Sequence, residues 1–349
     1  MNYKILLCLF LFFCSTAFSY KKVDGPYEWS FPYDHGVHND YQVEWWYFTG
    51  HLKENDETNR YFGFELTFFR IGNLFEQLDL PFSFKNIYVT HFTITDEKND
   101  AFYEAEWSHR EFDTTTIAYE GGMNISNGPF KINQKDDVFM IDAKKNNIAL
   151  KLNLKNSKPI IFHGDNGYHK KTDQEGAASY YYSMTRLKGD GEVEINSKTY
   201  TITGAEAWMD HEIFTPRDTN EQFGWDWFAI QFDDGAEMMV YQLRDKDRNI
   251  LDTASGSYVN QNGVVTKLTY GDYTLTPKKY WKDPKTSINY PVSWRVEVPK
   301  LNIDIVTKAT VNHQVVHPTG LLKQTNYWEG RCLVSGSHTG KAYIELVGY

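Results

Sequence analysis

Cysteine is scarce in this 349-residue chain, and the shortage decides how the fold must hold together. Of three cysteines, Cys8 and Cys14 lie in the first nineteen residues, which leaves Cys332 alone in the rest. A lone cysteine makes no intramolecular disulfide, so stability must come from the core, and the chain is long enough for two domains. Cys332, between Arg331 and Leu333 in a strand-like run, reads as a structural residue rather than a reactive thiol. Basic clusters are missing as well, and the formal net charge is −10. That balance argues against nucleic acid and against anionic membrane surfaces as partners. Beyond the first segment no stretch approaches the ~18–20 apolar residues of a membrane helix, so no integral membrane protein is expected. An outer-membrane barrel is disfavoured too. Steps of two back from Tyr349 give Val347, Glu345 and Tyr343, and a lipid-facing Glu345 is costly. Glycine-rich phosphate loops, serine elbows and paired-cysteine motifs are all absent. No cofactor is expected, and a standard hydrolase site has no support.

What the chain does have is an export-like beginning and many aromatics. Lys4 supplies a positive n-region, and Ile5 to Phe13 is an apolar run too short to span a bilayer. Ala17-Phe18-Ser19 then fits a small-x-small cleavage site before Tyr20. Residues 1–19 read as a signal peptide cleaved near Ser19, and the mature protein as periplasmic or secreted. A lipid anchor at Cys14 fits less well, because two phenylalanines precede it where a small residue is expected. Aromatic residues make up 16% of the chain. They favour strands, and they line pockets for flat or greasy ligands.

Short alternating runs punctuated by turn residues predict an all-β protein. The runs include Glu44 to Gly50, Tyr61 to Arg70, Tyr88 to Thr95, Tyr200 to Met209, Trp225 to Phe232 and Met238 to Arg244. Hairpin turns are explicit at Asp233-Asp234-Gly235 and Asn262-Gly263, and one short helix is predicted over Leu74 to Leu80. The halves echo each other. Trp45-Trp46-Tyr47-Phe48 opens a strand whose partner ends at Arg70, and Trp225-Asp226-Trp227-Phe228 opens one whose partner ends at Arg244. The closing hairpins, Val193 to Trp208 and Val334 to Tyr349, match in length. This duplication predicts two tandem antiparallel β-barrel domains, 20–209 and 210–349, with Thr215-Pro216-Arg217-Asp218 as the linker. A barrel of about eight strands has room for packed side chains or one small ligand.

Two polar clusters can carry chemistry. In Asp34-His35-Gly36-Val37-His38 with Glu44, two histidines three apart can share a metal with Asp34 or Glu44. No third histidine stands at a recognisable spacing, so no metal is expected. Glu44, beside Trp45 and Trp46, is a candidate for a carboxylic acid of raised pKa that donates a proton. The competing reading pairs Glu44 with an arginine such as Arg70. The second cluster is Trp208-Met209-Asp210-His211-Glu212. On a strand, Asp210 and Glu212 share one face while His211 takes the other, so adjacency does not make Asp210 and His211 an acid–base pair. Asp226 alternates away from Trp225 and Trp227, and a structural hydrogen bond is expected there. His163-Gly164-Asp165-Asn166-Gly167 reads as a tight turn.

These stretches resemble the AttH-like family, which also includes carotenoid 1,2-hydratase (hydroxyneurosporene synthase). The matching residues are Asp34-His35-Gly36, Glu44-Trp45-Trp46-Tyr47-Phe48-Thr49-Gly50, Thr90-His91 with Asp96, and His163-Gly164-Asp165-Asn166-Gly167. Further on they are Ser179-Tyr180-Tyr181-Tyr182-Ser183, Gly204 with Ala207-Trp208-Met209-Asp210, Gly224-Trp225-Asp226-Trp227-Phe228, Tyr327-Trp328-Glu329-Gly330 and Gly348-Tyr349. The resemblance implies two tandem lipocalin-like domains and a secreted or periplasmic protein. Its enzymatic members add water to, or cyclise, polyene and isoprenoid-like substrates, with protonation of a double bond by a buried acid as the common step. Asp210 matches the aspartate that the hydratases use as proton donor. The histidine and tryptophan expected upstream in those members fall within Tyr180 to Ser183, where tyrosines stand instead, so carotenoid hydration itself is not implied.

The resulting expectation is an exported, lipocalin-like protein that binds an apolar lipid or isoprenoid-like molecule. The alternative is an acid-catalysed hydratase, isomerase or cyclase with Asp210, or secondly Glu44, as proton donor. Trp45, Tyr47, Tyr181, Trp208, Trp225 and Trp227 are the expected ligand-binding residues. Sequence sets neither the ligand nor the oligomeric state.

Overall fold

The computed structural model describes residues 20–55, 59–72, 85–111, 116–118, 121–172, 174–216, 224–320, 322–323 and 325–349. The segment read as a signal peptide, the helix predicted over Leu74 to Leu80, and Arg217-Asp218 of the expected linker lie outside them. Among the described residues there is no α-helix, and two antiparallel sheets of thirteen and ten strands form the body of the protein. The first curls to a near-barrel and the second to a half-barrel, so the all-β duplicated architecture expected from sequence is the observed one.

Period-two patterning commits each strand face to one environment. Along Phe130–Lys135 burial alternates almost residue by residue, as in a sheet wetted on one side. Along Val43–Glu54 and Tyr61–Gly72 most residues of both parities are buried, because these strands are covered on both faces. In each sheet the first strand pairs with the second and with the last. Val43–Glu54 lies between Tyr61–Gly72 and Lys198–Phe214, and Gly224–Phe232 lies between Glu237–Arg244 and Gly340–Val347. The Asp233-Asp234-Gly235 turn closes the second of these hairpins, with Gly235 at φ +89°.

The first sheet reaches past the 209/210 division, up to the start of the expected linker at Thr215. Lys198–Phe214 is a single strand that runs through residue 209, so Asp210 to Phe214 belong to the first sheet. The break falls after Phe214. Asp210, His211 and Glu212 lie just past the expected end of the first domain, and here both faces of the strand are buried and each polar side chain has a partner.

The concave faces are filled. Trp46, Phe48, Phe64, Phe68 and Tyr182 pack inside the first sheet, and Phe228, Trp294, Trp328, Cys332 and Ile344 inside the second. Each large apolar side chain there contributes about 1.5–3 kcal/mol. Cys332 is fully buried, as expected of a structural residue. Residues of opposite parity, Tyr47 and Trp227 among them, point out of their own sheets and pack against each other. At Gly63 an added Cβ would lie 2.9 Å from the Arg331 Cβ, so the sheets touch there without room for a side chain.

Candidate active site between the sheets

The convex faces of the two sheets enclose a cavity of about 470 Å³, within the usual range for small-molecule sites. Strand register arranges its walls in rungs of residues directly opposite one another. On the first sheet one rung reads Ser183, Asp210, Tyr47, Thr67, His91. The next reads Tyr181, Glu212, Trp45, Phe69, and the one after it Phe214, Val43, Ile71. On the second sheet the facing rungs are Glu329, Glu345, Trp227, Tyr241 and then Tyr327, Val347, Trp225, Leu243. The cavity is therefore polar at its floor, aromatic in the middle and aliphatic at the level of Val43 and Ile71. Exposure rises in the same direction, and Val43, Ile71 and Phe214 are half-buried.

Asp210 lies at the floor, only 3% exposed. Its Oδ2 accepts from the Tyr181 hydroxyl at 2.6 Å, and its Oδ1 accepts from the Trp208 indole at 2.6 Å and from the Ser183 hydroxyl. All three donors are neutral. Burial pushes the Asp210 carboxyl up to about 7, against the lowering that these hydrogen bonds supply. Ser183 also contacts His163 Nε2 at 2.6 Å, and His163 Nδ1 lies 3.1 Å from Ser257 Oγ on the second sheet. Burial pulls the His163 imidazole down to about 3, so it is neutral. With Nδ1–H donating to Ser257, Nε2 accepts from Ser183. The serine hydroxyl can then turn between Asp210 and His163, and both protonation states of Asp210 keep their hydrogen bonds. Glu212 is held differently, by Lys171 and the Ser179 hydroxyl.

Three more acids lie on this interface. Glu345 occupies in the second sheet the rung position that Asp210 has in the first, opposite Trp227 as Asp210 is opposite Tyr47. Burial and the nearby Asp210 and Glu212 charges push its carboxyl up to about 7, while the Trp225 indole donates to it at 3.0 Å. Burial, then Glu345 and Glu65, hold Glu329 well above the usual carboxylate range, and the Tyr47 hydroxyl donates to its Oε1 at 2.5 Å. Glu65, one rung deeper, is pushed by burial up to about 8. Carboxyls placed together away from water and cations hold protons at neutral pH.

Glu44 is not the raised-pKa acid that sequence suggested as a candidate. It points into the first barrel, is fully buried and does not line the cavity. Its Oε2 accepts from Arg70 Nε at 3.0 Å, and its Oε1 lies 2.8 Å from both His38 Nδ1 and His211 Nε2. Burial alone would raise its pKa, but His38, His211 and Arg70 hold it well below the usual range. His38, between Glu44 and Asp34, is raised to about 9 because those charges outweigh its burial. His211 is the third histidine that sequence spacing did not reveal, and its ligand atom lies within 4.8 Å of those of His38 and Glu44. This is donor geometry a cation can use. The Arg70 guanidinium already supplies positive charge there, and the set reads as a hydrogen-bonded plug that ties the N-terminal segment to the barrel.

Of the expected ligand-binding residues, Trp45, Tyr47, Tyr181, Trp225 and Trp227 line the cavity. Trp208 does not. It sits one rung deeper and acts on Asp210 through its indole N–H. Asp226 turns away from the tryptophans, as alternation requires, and binds Arg244, Gln242 and Tyr349. Sequence reasoning missed Glu65, His91, His163, Ser183, Glu329 and Glu345 as site residues. A signal existed for Glu345, since steps of two from Tyr349 put it on one face with Val347. That face meets the other sheet, which no local pattern reports.

Among curated proteins, no sequence relative matches the chain. Solved structures do match. An AttH protein of Nitrosomonas europaea is 25% identical with a TM-score of 0.84, over 94% of this chain and 99% of that one. Kievitone hydratase of Nectria haematococca is 12% identical with a TM-score of 0.70, over 95% and 96%. CghA shares the fold at 11% identity and a TM-score of 0.52, over 88% of each chain. Tyr181 and Ser183 both bond directly to Asp210. The AttH-like family model covers residues 22–349, and this chain belongs to the AttH-like family.

Proposed function

We propose that this protein is exported, takes an apolar, unsaturated small molecule into the cavity between its sheets and protonates it from Asp210. The class of reaction is hydration, isomerisation or cyclisation. The observation that carries the reading is a buried carboxyl at the floor of an apolar cavity, held by neutral donors and raised to about 7. In such a step a C–H bond forms as the Asp210 O–H bond breaks, and the positive charge moves to the neighbouring carbon. The faces of Trp45, Trp225 and Trp227 favour that cation. Attack by water or loss of a proton, directly or after closure by a second double bond has moved the charge to a new carbon, then ends the reaction and returns a proton to the Asp210 carboxylate.

Plain sequestration of a lipid or isoprenoid-like ligand uses the same aromatic walls. Catalysis is favoured because a binding site for an apolar molecule gains nothing from an acid desolvated at its floor. The test is mass spectrometry of apolar molecules that co-purify with the wild type and with Asp210→Asn. Substrate trapped only by the variant supports catalysis, the same ligand retained unchanged by both supports sequestration, and nothing apolar on either refutes both.

A further inference from the structure

The floor of the cavity has a second polar end, and no step assigned to Asp210 uses it. The rung that begins at Ser183 and Asp210 continues through Tyr47 and Thr67 to His91. From Asp210 to His91 is three strand spacings, about 14 Å. His91 Nδ1 lies 2.6 Å from the Tyr327 hydroxyl, while its Nε2 is buried without a hydrogen-bond partner among the described residues. Glu329 is in the same condition. Its Oε1 is taken by Tyr47, and its Oε2 is buried without a partner among the described residues. Both residues line the cavity and both are almost wholly buried. Tyr327 and Glu329 are two apart on one strand and so share the face that meets His91.

The chemistry of these atoms sets what they can receive. His91 Nδ1 is the acceptor the described residues offer the Tyr327 hydroxyl; with that hydroxyl donating to it, the neutral imidazole carries its hydrogen on Nε2. Burial pulls the His91 pKa down to about 4, which keeps the ring neutral, and Glu329 is held well above the carboxylate range. Two donors therefore stand at this end, N–H from His91 and O–H from Glu329, each without an acceptor among the described residues. A buried donor left unpaired costs about 1–3 kcal/mol, and an acceptor oxygen removes that cost.

We infer that His91 and Glu329 form a subsite for a carbonyl oxygen, so that the ligand is an apolar ketone, aldehyde or ester rather than a plain hydrocarbon. The inference rests on the cavity reading of the proposed function and adds the polar group the ligand carries. It places the oxygen at the His91 end of the floor, where the backbone lies about 14 Å from that of Asp210, so protonation falls away from the carbonyl.

The test compares two probes, geranylacetone, an unsaturated ketone, and the hydrocarbon with the same carbon skeleton. Binding is read from quenching of tryptophan fluorescence, since Trp45, Trp225 and Trp227 line the cavity. The wild type is expected to bind the ketone about tenfold more tightly than the hydrocarbon, one to two neutral hydrogen bonds' worth. In His91→Phe the preference should fall below about threefold, with hydrocarbon affinity kept. Glu329→Met serves the same purpose if loss of the His91–Tyr327 contact loosens the sheets. Equal binding of both probes by the wild type, or a preference that survives both substitutions, overturns the subsite while leaving the apolar cavity intact. Binding of neither probe overturns the cavity reading and the subsite with it.

Discussion

Glu44 and Asp210 lie on opposite faces of the same two-stranded ladder, three rungs apart. Both are buried, at 0% and 3% exposure, and both carry three or more hydrogen bonds. Their protonation differs because their partners differ. Glu44 faces a guanidinium and two imidazoles, so charge keeps it ionised. Asp210 faces two hydroxyls and an indole, which donate but carry no charge, and desolvation wins. Burial supplies the perturbation, and the charge of the neighbours decides its sign.

Replacing each acid by its amide should separate the two roles. Asp210→Asn is expected to lower turnover of the trapped substrate at least about a hundredfold, the loss typical for a general acid. Its circular dichroism and melting should stay near wild type. Glu44→Gln should do the reverse. It leaves Arg70 buried without its counter-charge and costs about 3–5 kcal/mol, read by chemical denaturation. Cavity binding per folded molecule should be unchanged, and a Glu44→Gln protein as stable as wild type would show that the plug is not structural.

The two acids also predict opposite pH slopes. Glu44 has a folded pKa below its unfolded value, so its contribution is present above about pH 4.5 and is lost as the pH falls. Asp210 has a folded pKa raised to about 7, so its contribution is complete below about pH 4 and is lost as the pH rises through 7. Glu65 extends that alkaline loss to about 8. Glu65→Gln should therefore gain stability relative to wild type on going from about pH 5 to pH 9, by more than about 1 kcal/mol. Equal slopes in denaturation series would contradict the protonated state of this cluster.

The smallest expected effect sharpens the comparison within the site. Ser183→Ala and Tyr181→Phe each remove a donor to the charged form of Asp210, and so raise its pKa further, by about one unit. The alkaline limb of the pH–rate profile, where Asp210 loses its proton, should move up accordingly. Trp208→Phe should act in the same direction, which would mark Trp208 as a positioning residue for the acid.

The sequence makes one half of this legible. Period-two alternation puts Asp210 and Glu212 on one face and His211 on the other, and that is where they lie. The repeated aromatic strands and matching closing hairpins announce the duplication. What alternation cannot report is which face of a doubly covered strand meets which partner. Glu44 and Asp210 look alike in sequence, each within two residues of a tryptophan, because the partners that set their charge come from residues distant along the chain. Arg70 is 26 residues from Glu44, and His211 is 167. The barrels themselves were the expected ligand holders, but their concave faces are packed and the cavity lies between their convex ones.

The most direct test is the infrared carboxyl spectrum of the protein in heavy water, titrated from about pH 5 to pH 9 for wild type, Asp210→Asn and Glu44→Gln. The account predicts protonated-carboxyl absorption that titrates near 7 and above, from Asp210 with Glu345 and Glu65; its component near 7 loses one carboxyl's intensity in Asp210→Asn and keeps its full intensity in Glu44→Gln. A band undiminished in Asp210→Asn, a band weakened in Glu44→Gln, or an Asp210 carboxylate already ionised at pH 5 would contradict it.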